Sequence, residues 1–149
     1  MTNGDDDANK RNYLLLELKD IQGSLERVKT SGERIVRNQQ LVRKLKELYD
    51  YRCQLCDEEN GIPLIKKADG TLYVEVHHIT ALSTINSKTN TENDDLLDSY
   101  KNAIVVCPFH HKVLHYHEGG FDRIISQDDE LFFVSKNDTL IKIQVNYHL

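Results

Sequence analysis

The spacing of apolar residues changes several times along the chain, and each change marks an element. Residues 1–11 open with MTNGDDDANK, polar and acidic with no apolar period, which predicts a disordered leader. Leu14, Leu18, Ile21, Leu25 and Val28 then recur at intervals of 4, 3, 4 and 3, the a/d seam of a heptad helix. That spacing predicts a helix from Asn12 to about Thr30, with Gly23 inside it. Two heptads suit either packing on the chain's own core or a homodimer seam. Thr30, Ser31 and Gly32 interrupt the pattern, and Ser31 is placed to cap a second helix running to about Asp50. Ile35, Leu41, Val42, Leu45 and Leu48 would form its apolar side.

Beyond residue 50 the period shortens. Residues 51–61 are turn-rich. From Leu72 to His78 the chain alternates as a strand, with Leu72, Val74 and Val76 on one face and Tyr73, Glu75 and His77 on the other. Residues 83–98 are polar and loop-like. Ala103–Val106 is a short apolar run suited to a partner strand. Pro108 fits the first turn of a helix that would reach about Tyr116 and stop at Gly119-Gly120. Leu131–Val134 and Ile141–Val145 predict a terminal hairpin about Asn137-Asp138. The fold class expected is α+β: N-terminal helices (12–50), then a strand–strand–helix core and a hairpin (51–149).

Composition narrows the chemistry. The chain has 149 residues, 39% hydrophobic and 29% charged, as in globular proteins. No apolar run approaches the ~18 residues of a membrane span, and no secretory h-region opens the chain, so a cytoplasmic location is expected. Three cysteines make no disulfide framework. No Ser–His–Asp or phosphate-loop pattern appears, and no organic cofactor is expected.

Five of the seven histidines fall in two groups, His77-His78 at a strand end and His110, His111 and His115 on the predicted helix. His111 and His115, four apart, share one helix face and can grip one cation. His110 points about 100° away, toward Cys107 one turn back. Two metal sites are therefore expected. Cys53, Cys56, Cys107 and His110 make a closed soft set suited to structural Zn²⁺. His77, His111 and His115 leave positions open, as a catalytic divalent cation (Mg²⁺, Mn²⁺, Ni²⁺ or Zn²⁺) requires. Glu75, on the strand face of His77, is a candidate partner for a ligand imidazole. His117 and His148 read as surface histidines.

The segments C53-Q-L-C56, V74-E-V-H77-H78-I79 and N102-A-I-V-V-C107-P-F-H110-H111-K-V-L-H115 resemble the HNH, or ββα-metal, endonuclease family, in its zinc-knuckle, restriction-associated branch. The resemblance implies His77 as a metal ligand, His78 as the general base, Asn102 as the residue that orients the base, and His111 with His115 as helical ligands. It implies a DNA endonuclease, restriction or defence related. The common pattern uses a second CxxC, so Cys₃His replaces Cys₄ here. Spacing favours His110 over His111 for the zinc, since His111 then lies nine residues after Asn102 and four before His115.

Charge bears on DNA as the expected partner. The formal net charge is −5. Residues 1–50 carry a net +1 and residues 51–149 a net −6, so the acidic excess lies in the half expected to bind cations. Arg34, Arg37, Arg43 and Lys44 on the second helix are candidate phosphate contacts, or one solvated helix face. Two rival readings are a zinc-stabilised nucleic-acid-binding module that does not cleave, and a helical interaction protein with an inert core.

Overall fold

The computed structural model describes residues 3–26, 31–57, 62–79 and 100–149; within its first two helices, side chains are described for residues 6–23 and 38–48. The predicted loop at 83–98 lies outside the described residues. Helix α1 spans Asn3–Glu26 and helix α2 spans Ser31–Leu48. Strands β1 (Glu75–His78) and β2 (Ala103–Val106) form an antiparallel pair, and a single 3₁₀ turn, Tyr100–Asn102, leads into β2. Helix α3 covers Pro108–Tyr116 and is followed by a second antiparallel sheet, β3 (Phe121–Gln127), β4 (Glu130–Ser135) and β5 (Leu140–Lys142). The chain is thus α+β. No helix among the described residues is long and apolar enough to cross a membrane.

The expected disordered leader is instead helical from Asn3. Asp5 and Asp6 fall in the first turn, where acidic residues favour the unpaired N–H groups of a helix start. Leu14 and Leu18 of the heptad seam are buried in one core with Leu41, Leu45 and Leu48 of α2. This intramolecular packing uses the described part of the seam; the side chains of Leu25 and Val28 lie outside the described set. Helix α2 stops at Leu48 because Asp50 and Tyr51 turn left-handed (φ 51° and 57°), and the Tyr51 N–H closes onto the Lys46 carbonyl.

Strand β2 lies between two cores. Ala103 and Val105 face the helical core with Leu18, Leu45 and Val74, while Ile104 and Val106 face a second core with Leu55, Leu114, Phe121 and Phe133. A strand buried on both faces reads as a continuous apolar run, which is why 103–106 does not alternate. Each such side chain contributes about 1.5–3 kcal/mol by leaving water.

Two strand boundaries differ from expectation. Strand β1 begins at Glu75 rather than Leu72, because residues 65–73 fold back on themselves. Tyr73 N–H donates to the Ile65 carbonyl, and Leu72 bridges Lys66. The predicted terminal hairpin is two strands of a three-stranded sheet. Strand β3 was not predicted: Ile124 and Ile125 are adjacent, so no period of two shows, and its tight turn is Asp128-Asp129, both at positive φ (53° and 64°), without the glycine that usually flags such turns. Strand β5 ends at Lys142, short of Val145, because the Gln144 and Val145 N–H groups donate to the Gln54 carbonyl instead of to β4.

Candidate metal centres

The first centre is assembled from three places. Cys53 and Cys56 come from the turn after α2, Cys107 ends β2, and His110 lies in the first turn of α3. Cys107 caps that helix: its Sγ accepts from the His110 backbone N–H at 3.5 Å, and Pro108 takes the first helical position. The His110 Nδ1 lies 3.4 Å from Cys53 Sγ, 3.5 Å from Cys56 Sγ and 3.4 Å from Cys107 Sγ, and Cys56 and Cys107 sulphurs are 3.7 Å apart. Around a tetrahedral cation with bonds of about 2.3 Å to sulphur and about 2.0 Å to nitrogen, neighbouring ligands stand about 3.5–3.8 Å apart. The four donors fit that figure, and all three cysteines are free thiols.

Cys107 is held down to about 3, first by the hydrogen bond from the Cys53 thiol and then by the ring and backbone of His110. The same bond to Cys107, with burial, pushes Cys53 up, and burial pushes Cys56 up to about 11. A bound cation is what would hold all three sulphurs deprotonated.

Gln54, between the two cysteines and fully buried, ties this centre to the strands. Its N–H donates to the Val105 carbonyl at 2.8 Å and its Oε1 accepts from the Val105 N–H at 2.8 Å. Its Nε2 donates to the Val145 carbonyl at 3.0 Å. One side chain thus closes the outer edge of β2 and anchors the segment after β5. Sequence reading passed over it, because attention falls on the cysteines of a CxxC and a glutamine carries no metal chemistry.

The second centre faces the other way from α3. His111 and His115 lie on one face, and His77 projects toward them from β1. The ring centroids are 5.3 Å (His77–His111), 4.7 Å (His77–His115) and 4.8 Å (His111–His115) apart. His77 is only 5% exposed, and neither of its ring nitrogens has a hydrogen-bond partner. An orphaned buried imidazole costs about 1–3 kcal/mol unless something takes its lone pair. Burial, then the charges of His115, His111 and His78, push its pKa down to about 3, so the ring is neutral. The Glu75 Oε1 lies 3.0 Å from His111 Nδ1, which donates to the carboxylate; in the neutral ring this tautomer leaves Nε2 as the acceptor. That Nε2 faces the His115 Nε2 at 3.1 Å. Ligand nitrogens sharing a cation stand about 3.0–3.4 Å apart. Glu75 thus contacts His111, one of the histidines it was expected to partner.

His78 follows His77 on β1 and pairs with Ala103 in register, and the Ile79 N–H donates to the Asn102 carbonyl at 2.8 Å. His78 and Asn102 therefore lie at one end of the β1–β2 pair, beside the histidine centre. After the helix carrying His111 and His115 and the short turn 117–119, the chain passes back against that helix at Gly120, which has φ +98° and where a Cβ would lie 3.0 Å from the His115 carbonyl oxygen.

The candidate phosphate contacts fare differently. Arg43 is exposed, but Lys44 pairs with Glu17 of α1 at 2.8 Å and Glu47 at 3.8 Å, in a groove that also holds Asp20. The side chains of Arg34 and Arg37 lie outside the described set. His117 is exposed as expected, whereas His148 is 2% exposed, not on the surface. Its ring replaces a missing strand at the edge of β2, an arrangement no local sequence signal announces.

No family model, curated protein or solved structure matches this chain.

Proposed function

We propose that the protein is a metal-dependent DNA endonuclease of the HNH type, restriction or defence related, with Cys53, Cys56, Cys107 and His110 holding a structural zinc. The observation that carries this reading is His77, whose two buried, unpartnered ring nitrogens sit against His111 and His115 at ligand spacing. A structural site would be expected to close its fourth side, and His115 is instead exposed.

A divalent cation bound by His77, His111 and His115 would stabilise phosphate and leaving-oxygen charge as a Lewis acid. The chain's own groups do the rest. His78 takes a proton from the attacking water as that oxygen bonds phosphorus, and the bond from phosphorus to the 3′-oxygen breaks. Asn102 braces the strand end that carries His78. Glu75 holds the His111 tautomer with Nε2 facing inward. Lys112, exposed beside His115, has its ammonium 5.5 Å from the Tyr116 ring centre and provides a cation for the nucleic-acid backbone at the rim.

Supercoiled plasmid is the test substrate. The expected result is nicking with Mg²⁺, Mn²⁺, Ni²⁺ or Zn²⁺ that EDTA stops and His78→Ala removes. DNA binding with no nicking under any of these metals would replace this reading with a non-cleaving binding module. Neither binding nor nicking would leave the inert-core interaction protein.

A further inference from the structure

Asn102 stands between two residues that both hydrogen-bond His148. On one side, the Lys101 Nζ donates to the His148 carbonyl at 2.7 Å; on the other, the Ala103 carbonyl lies 2.7 Å from His148 Nε2. A carbonyl can only accept, so Nε2 carries the proton and Nδ1 is the acceptor. The Tyr49 hydroxyl, 2.5 Å away, donates to that Nδ1, and the Tyr49 oxygen itself accepts from the Tyr147 backbone N–H at 2.8 Å. Tyr147 stacks on Tyr49 with ring centres 5.1 Å apart, and the Arg11 guanidinium lies 4.6 Å from the Tyr147 ring centre. Both ring nitrogens of His148 are thus satisfied, one by Tyr49 in the turn after α2 and one by Ala103 at the start of β2.

The register shows what this does. His78 opposes Ala103, and the Ile79 N–H donates to the Asn102 carbonyl. In that antiparallel pattern the Ala103 carbonyl points away from β1, off the outer edge of β2. The His148 ring takes that carbonyl much as a neighbouring strand would.

We infer that His148 is a positioning residue: its ring, by holding the Ala103 carbonyl, clamps the segment that carries Asn102 and opposes His78, while its backbone carbonyl takes the Lys101 ammonium. The clamp stands on the hydrogen bonds; its consequence for catalysis rests on the nuclease reading. Displacements of about 1 Å in such supports can cost about 100-fold in rate.

The test uses the full chain as purified, with two readouts. The first is native-state amide exchange at Ile79, compared with Gln54, whose N–H bonds Val105 at the far end of β2. In His148→Ala, Ile79 exchange is expected to rise at least about tenfold, with Gln54 changing less than about twofold. In His148→Gln, whose amide can still donate to Ala103, Ile79 is expected to stay within about threefold of the parent. The second readout is plasmid nicking: kcat falls about 10–100-fold in His148→Ala at unchanged KM, with partial rescue in His148→Gln. Unchanged Ile79 exchange in His148→Ala overturns the inference. So does a parallel rise at Ile79 and Gln54, which would mean a general loss of stability. Nicking with unaltered kcat in His148→Ala overturns the catalytic consequence. A parent protein that never nicks DNA, but shows the local Ile79 response, removes the nuclease reading and upholds the clamp.

Discussion

The Cys53/Cys56/Cys107/His110 cluster and the His77/His111/His115 cluster share helix α3, with His110 and His111 adjacent in the chain. They nevertheless offer a cation opposite environments. The first uses soft donors, is capped by the helix start and by Cys107, and reaches through Gln54 into both the β1–β2 pair and the segment after β5. The second uses only imidazoles, has one buried member and one exposed member, and is supported by a single carboxylate, Glu75. One helical position thus separates a centre built into the core from one built onto its rim. The same α3 geometry serves both because neighbouring helical positions diverge by about 100°.

Damage at the two centres should therefore differ most in stability. Cys107→Ser is expected to release bound zinc and unfold the region around α3, because structural zinc carries apparent binding energies of about 10–16 kcal/mol in small zinc folds. Zinc per chain and near-ultraviolet circular dichroism check this. His77→Ala should keep the fold and zinc of the first centre. A Cys107→Ser protein that stays folded without zinc would erase the distinction.

The next effect belongs to the rim. His78→Ala should reduce DNA nicking by about 10²–10⁴-fold, the usual scale for a general base, with melting temperature unchanged. A variant as active as the parent would show that another group takes the proton.

Gln54 sharpens the comparison from the side of the core. Gln54→Leu keeps the volume but leaves the Val105 N–H and the Val145 carbonyl without partners. It should lower unfolding free energy by about 2–5 kcal/mol in urea titration. A loss under about 1 kcal/mol would mean water replaces the amide.

The smallest effect is one of pH. Burial holds the His148 imidazole at about 4, against 6.5 when exposed, with the nearby Lys101 charge acting in the same direction and the Ala103 carbonyl opposing. Between those values the unfolded chain binds a proton and the folded chain does not. Stability is therefore fully present above about pH 6.5 and declines as pH falls toward 4, by about 3 kcal/mol at most from this group. His77, held near 3, adds to the same decline, so the difference between the parent and His148→Gln isolates His148. Parallel stability curves for the two would contradict the buried neutral assignment.

What was legible in the sequence follows the same division. Short-range chemistry was readable: α3 begins at Pro108 and ends at Tyr116 as its proline and glycines indicate, and both ligand sets are brought together as the Cys and His spacing implied. Contacts set by tertiary packing were not. His148 lies far in sequence from Tyr49 and Ala103, and a lone histidine in the tail beyond a strand looks solvated. Strand β3 lacked both a period of two and a glycine turn. The leader looked disordered because acidic composition was weighed without the helix start that those aspartates favour. Lys44 looked available for phosphate, but Glu17 answers it from α1, a pairing that depends on how the two helices cross.

The most direct test of two centres with different roles is one chelation experiment. The zinc-loaded protein is treated briefly with EDTA, then assayed for zinc per chain, circular dichroism and plasmid nicking, before and after Mn²⁺ is restored. The expected result is about one zinc retained per chain, an unchanged spectrum, and nicking that is lost and then recovered with Mn²⁺. Loss of fold in step with loss of nicking, or no nicking with the metal restored, would contradict the account.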